Sequence, residues 1–323
     1  MILVGTCGWS RIYEFLHPSR LRVGELKAYS EVFKAVEVDS SFYRFHRPET
    51  YRGWRMSVPQ GFEFTLKCHR SITHEAMMRP TDEALRGMER MVEAARACGA
   101  GTLLLQTPAS LRACKESFKN LTEFFERVAD GEIRLAWEPR GSSWESGGGL
   151  KFLREFLERF KVVHVVDPLK GSPAWMGDTL YFRLHGLPGY NLEYSYTNRE
   201  LEALREKIKP LGERRIYIFF NNYAMYRDAY RFKRLVEEGV SLPSPFGPRS
   251  VLWALQAYED WPSSKMELIE KCGRWRCWVS QDRRVLLGEI LKYLGDGVYS
   301  GAEEVFEEAK RVWEFTGLPS EEL

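Results

Sequence analysis

Eight short apolar, largely β-branched runs recur along this chain of 323 residues, at 2–7, 35–39, 62–68, 102–106, 133–138, 162–167, 180–185 and 216–221. Between most of them lie stretches of about 10–18 residues with apolar positions at helical spacing and a charged opposite face. Parallel strands need such crossovers, and closing eight of them on one another removes both sheet edges. The alternation therefore predicts an α/β chain, a (β/α)8 TIM-like barrel with a C-terminal helical extension. A doubly wound open sheet is the alternative. Neither G-x-G-x-x-G nor G-x-x-x-x-G-K-[ST] follows any strand, so no nucleotide-cofactor motif supports it.

Helix boundaries carry physical marks. Thr81-Asp82 opens a run to Ala97 that Gly99 stops, and Thr197 with Glu200 forms a capping box opening a run to Ile208. Further helices are predicted over 23–33, 49–56, 115–128, 150–159 and 224–238, the last stopped by Gly239. Residues 170–176, between the sixth and seventh strands, are too few for a full helix. Three prolines and a glycine within 242–248 read as linker. The predicted organisation is a barrel over 1–240, a Pro-rich linker over 241–248 and a small helical module over 249–323. Its helices are expected at 251–258, 265–272, 282–294 and from the capping box Ser300/Glu303 to 315.

Lys plus Arg number 47 against 45 Asp plus Glu, a net charge of +2 that gives no bulk attraction for nucleic acid. With 44% hydrophobic residues the chain can bury a large core, yet no window approaches the roughly 18 apolar residues of a membrane span. No basic-then-apolar leader opens the sequence, so a cytoplasmic protein without membrane partners is expected. The cysteines form no CxxC pair, and Cys272 and Cys277, the one close couple, are expected as reduced, partly buried thiols.

The functional signal is the polar residues that finish the strands: Glu37 and Asp39, Lys67 and His69, Gln106, Glu138 and Arg140, Asp167, Arg183 and His185, Asn221 and Asn222. Residues two apart share a side of a strand, so these pairs are predicted to face the barrel axis rather than lie uncompensated beneath helices. In this fold that mouth carries active sites. The bland reading is a salt-bridged plug; seven of eight strands ending alike argue for a site. Glu37, Glu138, Asp167 and His185 are the acid/base candidates. Arg140 and Arg183, with Lys67, suit a phosphate or carboxylate. A single divalent ion on Glu37, Asp39 and His69 or His185 is the less favoured alternative, because three fixed cations oppose it. Trp9, Phe42, Tyr43, Trp144, Tyr194 and Tyr196 sit in mouth loops as rings that stack on a guest or pack locally, and His74 beyond the third strand is a rim candidate. His17 and His46 read as plain loop residues, and His164 as a satisfied core histidine.

In order, Gly5-Thr6-Cys7-Gly8-Trp9-Ser10, Glu37 to Tyr43, 62–67, Ile72-Thr73-His74, Glu138-Pro139-Arg140 with Trp144, Arg183-Leu184-His185-Gly186, Tyr196 and Asn221-Asn222 resemble the YecE-like family, domain-of-unknown-function family 72. The resemblance covers residues 1 to about 240. It implies a TIM-barrel-like fold with shared residues at the mouth, and it supplies no reaction. A likeness of the family's barrel to endonuclease IV and sugar isomerases is fold analogy alone. Cys7 stands where the family commonly has serine, and Asp39 where it has asparagine.

Three functions compete. The first is an enzyme for a small anionic, sugar-like or nucleotide-like ligand at the mouth. The second is a nucleic-acid binding or processing protein that adds the basic, tryptophan-interleaved stretch Lys271 to Trp278 with Arg283-Arg284. The third is a non-catalytic ligand-binding or interaction barrel.

Overall fold

A computed structural model describes residues 1–10, 12, 15, 24–129, 131–256 and 258–319. His17 and the first residue of the helix expected over 23–33 lie outside the described residues. Strands β1 (Ile2–Cys7), β2 (Ala35–Val38), β3 (Glu63–Lys67), β4 (Thr102–Thr107), β5 (Arg134–Pro139), β6 (Val163–Val166), β7 (Thr179–Leu184) and β8 (Arg215–Phe220) close in sequence order into one parallel barrel, β8 pairing back to β1. The expected (β/α)8 architecture is thus present. Crossover helices include Glu25–Val32, Pro48–Met56, Asp82–Cys98, Lys115–Val128 and Gly147–Phe160. Thr81 caps the third of these by accepting from the Ala84 N–H, and Gly99 ends it at φ 67°, a left-handed conformation that suits glycine.

Alternation within the strands places one set of side chains on the axis. Leu3, Ala35, Leu104, Ala136, Val163, Val165, Tyr181, Tyr217 and Phe219 pack there as one buried cluster. Gly5 belongs to this inner set because its strand runs tight against β2: a Cβ would lie 2.1 Å from the Ala35 carbonyl oxygen. At the opposite end from the mouth, Glu63 accepts from the Tyr217 hydroxyl at 2.6 Å and pairs with Arg215.

No helix joins β6 to β7. The connection is folded by polar contacts: the Lys170 and Gly171 N–H groups donate to the Asp167 carbonyl, and Asp167 caps the Leu169 N–H at 3.0 Å. His164 pins its far end, its Nδ1 accepting from the Ala174 N–H at 2.9 Å.

Two compact units divide the chain, and the division cuts across the expected boundary near 241–248. One comprises Met1–Trp9, Tyr29–Leu184 and Lys209–Phe220, the barrel strands among them; the other comprises Ser10–Ala28, His185–Ile208 and Asn221–Leu323. In the second unit, helices Asn198–Ile208, Met225–Glu238, Ser250–Leu255, Lys265–Cys272, Leu287–Leu291 and Ala302–Val312 occur with two antiparallel pairs. Strands β9 (Ser263–Ser264) and β12 (Val298–Tyr299) form one, β10 (Arg276–Trp278) and β11 (Arg284–Leu286) the other. The expected helix over 282–294 is therefore shortened to Leu287–Leu291. Asp282, readable as a helix cap, instead accepts from the Ser280 hydroxyl inside the turn that joins β10 to β11. The supposed linker is not loose chain either: Phe246, Gly247 and Pro248 are buried, and Gly247–Arg249 is a 3₁₀ turn. Cys272 and Cys277 are separate buried thiols. No described helix is long and apolar enough to cross a membrane.

Burial pushes the His164 imidazole from 6.5 down to about 4, so the folded chain takes up fewer protons than the unfolded chain between those values. The contribution of the neutral ring is complete above the unfolded value of 6.5 and is lost as pH falls towards about 4. At about 1.4 kcal/mol per pH unit this amounts to roughly 3 kcal/mol. Unfolding free energies measured across that range in wild type and His164→Gln should show a flatter profile in the variant; equal slopes would refute this role.

Candidate functional site

The inner face of the barrel ends in a ring of charge centred on Arg183. This residue is 1% exposed. Its Nη2 donates to Glu37 Oε1 at 2.7 Å and lies 3.7 Å from Cys7 Sγ, while Nη1 donates to Glu138 Oε2 at 2.5 Å. Strand register builds the arrangement, since Cys7 pairs with Glu37, Glu37 with Thr65, and Gln106 with Glu138 across neighbouring strands. Tyr181, two residues before Arg183 and so on the same side, donates its hydroxyl to Glu37 Oε2 at 2.6 Å and shares a 2.7 Å hydrogen bond with the Thr65 hydroxyl.

Electrostatics follow from enclosure. Burial pushes the Glu37 carboxyl up and Arg183 pulls it back, while burial followed by the charge of Glu37 lifts both the Cys7 thiol and the Tyr181 phenol well above their usual ranges. Burial opposes the Arg183 charge, but Glu37 and Glu138 outweigh it and hold the guanidinium protonated.

A second tier stands above this floor. Asp39 lies 3.5 Å from Lys67 Nζ and 3.7 Å from Arg183, and Arg140 Nε donates to Glu138 Oε1 at 2.9 Å. These side chains reach solvent where the floor does not: Asp39 is 26% and Arg140 31% exposed, against 0% for Glu37. Lys67 Nζ rests 4.3 Å from the Phe42 ring centre, and the His74 ring meets Phe42 edge-on at 4.8 Å. Burial, then the charge of Lys67, holds the His74 imidazole below its ordinary value. Three acids, Glu37, Asp39 and Glu138, thus face three cations, Lys67, Arg140 and Arg183.

The structure redistributes several of the roles expected from sequence. Arg183 cannot act as an anion clamp here, because both Nη atoms are committed to carboxylates at full burial; it positions Glu37 and Glu138 instead. Glu37, held by Arg183 and Tyr181 at 0% exposure, is closed to a guest, whereas Glu138, held by Arg183 and Arg140, keeps 11% of its side chain exposed. Asp167 is used by its own loop, pairing with Lys170 at 3.0 Å. Trp144 is 1% exposed and donates its indole N–H to the Leu111 carbonyl, so it packs the loop core rather than stacking on a ligand. Tyr196, fully buried in the second unit, accepts from the Gly186 N–H at 2.7 Å. Asn222 donates to Tyr194 O and Asp228, a structural role; Asn221 is partly exposed, and the His185 ring lies 4.6 Å from that of Tyr190. Tyr43 is 69% exposed, and Trp9 lies edge-on to Trp54 at 5.1 Å.

Among the described residues, no histidine joins Glu37 and Asp39 in a group of metal-ligating atoms. His69 is stacked on Phe45 at 4.1 Å and tied to the Ser71 hydroxyl. Among the described residues, Cys7, Glu37 and Asp39 present ligand atoms within 4.8 Å of one another. Arg183 already donates into that group, however, so a divalent ion would meet a fixed cation at contact distance. In the basic stretch of the second unit, Trp275 packs partly buried against the core and Trp278 is 5% exposed, while Lys271, Arg274 and Arg276 are exposed. Tyr181 and Thr65 escaped the sequence reading, and Cys7 entered it only as a departure from the family motif. Tyr181 shares the side of Arg183, but an aromatic in a strand reads as core.

Residues 3–249 match the family described as protein of unknown function DUF72. The UPF0759 protein YunF of Bacillus subtilis (strain 168) is 25% identical over 271 residues, 73% of this chain and 94% of that protein. A DUF72 family protein of Thermotoga maritima MSB8 is 26% identical with a TM-score of 0.57, covering 74% of this chain and 100% of that one. Another, from Enterococcus faecalis V583, is 19% identical with a TM-score of 0.59, covering 76% and 98%.

Removing the Tyr181 hydroxyl leaves Glu37 Oε2 without its donor inside the barrel. Tyr181→Phe should cost about 1–3 kcal/mol in chemical unfolding with an unchanged denaturant slope. A loss below about 0.5 kcal/mol would show that this bond does not hold the floor.

Proposed function

Taking as premise that this chain belongs to the DUF72 family, whose description names no reaction, we propose that it is an enzyme that binds a small anionic molecule at the barrel mouth and moves protons there. The observation that carries this reading is the grip on Glu138. One oxygen is held from below by Arg183, at 1% exposure, and the other from above by Arg140, at 31%. A carboxylate so oriented is a general acid or base whose position does not depend on the guest. Arg140 offers a planar fork to a phosphate or carboxylate, and Lys67 adds a point charge backed by the Phe42 ring.

Asp39, between Lys67 and Arg183 and partly open to solvent, is the second proton-handling group. Glu37 acts one step back, holding Arg183. With His74 held neutral by burial and neighbouring cations, its ring accepts or donates a hydrogen bond without adding positive charge. Trp9 and Tyr43 form apolar walls suited to a sugar ring or another flat face.

The test is calorimetric titration with hexose phosphates, sugar acids and nucleotides. Arg140→Ala should weaken the best ligand roughly ten- to a hundredfold, as expected for a charge-assisted hydrogen bond. Glu138→Gln should leave its affinity within a few fold while lowering turnover at least about a hundredfold. If Arg140→Ala and Lys67→Met bind every such ligand as wild type does, the reading fails.

A further inference from the structure

The second compact unit encloses a polar cluster that the mouth chemistry does not use. Asp228, 0% exposed, accepts from the Ser195 hydroxyl at 2.9 Å, the Tyr196 N–H at 3.1 Å, the Asn222 amide at 2.8 Å and Arg231 Nη1 at 3.2 Å. A carboxylate has about four lone-pair sites, so this one is saturated. Arg231, 1% exposed, also donates to the Tyr196 carbonyl at 2.6 Å and to Asn198.

Arg227 neighbours Asp228 on the helix Met225–Glu238 and reaches this cluster only through Ser195. It forms no ion pair with a described carboxylate. Among the described residues its one hydrogen bond runs from Nη2 to Ser195 Oγ at 3.3 Å, and its Nε is enclosed without a partner. The indole of Trp278 lies 5.3 Å from its guanidinium carbon, an apolar surface that offers no hydrogen bond to the fork edge. Other acids nearby are occupied: Glu193 takes Arg284 at 3.1 and 3.2 Å, and Glu200 serves Tyr194, Thr197 and Gln281. Burial drives the Arg227 guanidinium down to about 9 despite Asp228, with Arg231 adding to the fall. A guanidinium this enclosed ordinarily has its own counter-ion. Arg227 as a whole residue is only partly buried, although its Nε is enclosed.

We propose that the Arg227 guanidinium edge beside Trp278 is a binding site for a small tetrahedral oxyanion, inorganic phosphate, which supplies the counter-charge that saturated Asp228 does not. An oxyanion accepts two parallel N–H bonds from such a fork, and the partly enclosed setting strengthens them. The site is independent of the mouth reading, and the two are separable by mutation.

Inorganic phosphate is titrated into the full chain by calorimetry at constant ionic strength, with chloride as the balancing salt. In the double variant Arg140→Ala/Lys67→Met, which removes the two mouth cations assigned to a guest, saturable phosphate binding should persist; adding Arg227→Gln should weaken it roughly ten- to a hundredfold. Phosphate binding that disappears in the double variant, or that Arg227→Gln leaves unchanged in that background, overturns the proposal. If Arg227→Gln fails to fold, Arg227→Lys keeps the charge and loses the fork: weakened phosphate binding with a native circular dichroism spectrum supports the site, and wild-type affinity overturns it. Failure of the mouth reading gives a different result, identical affinity of wild type and Arg140→Ala for every anionic ligand.

Discussion

A guanidinium sealed inside the barrel, at 1% exposure, is the constraint around which the mouth is organised. Taking Arg183 out of water costs several kcal/mol unless its charge is met at contact distance, and it is met twice, by Glu37 at 2.7 Å and Glu138 at 2.5 Å. That requirement ties together four strands. Glu37 comes from β2 and Glu138 from β5, while Arg183 and Tyr181 come from β7; Cys7 of β1 closes the remaining side at 3.7 Å. A slip of one residue in any of these would turn the charge outward and leave its partner buried alone.

The consequence is a division of labour by depth. Glu37, Tyr181, Thr65 and Arg183 form a closed floor with little freedom, and Asp39, Lys67, Arg140, Glu138 and His74 form the tier above it, where Asp39 and Arg140 reach solvent. Three positive and three negative groups leave the set near neutrality. Site function rests on the residues themselves, because the barrel fold hosts many unrelated chemistries.

Much of this was legible in the sequence for a simple reason. Strand limits follow apolar runs that end in charge, and parity within a strand puts Glu37 with Asp39 and Glu138 with Arg140 on one side. Parity carries no depth, however. It could not tell that Arg183 lies at the floor and Arg140 at the rim, since that depends on how far each strand runs past its neighbours. Burial of Trp144 and Tyr196 was hidden because a loop aromatic looks alike whether it packs inward or waits for a ligand. The helix expected over 282–294 took in β11, because a three-residue strand paired antiparallel with β10 leaves no periodic signal in the sequence. The two compact units are discontinuous in sequence, which no local composition signal can reveal.

The central claim is the mutual dependence of Arg183 and the carboxylates beneath the mouth. A double-mutant cycle on unfolding free energy with Arg183→Met, Glu37→Gln and the pair measures it directly. The account predicts a coupling of about 1.5–3 kcal/mol, with Arg183→Met alone costing roughly 3–5 kcal/mol because two buried acids lose their counter-ion. Additive effects, with a coupling under about 0.3 kcal/mol, would contradict it.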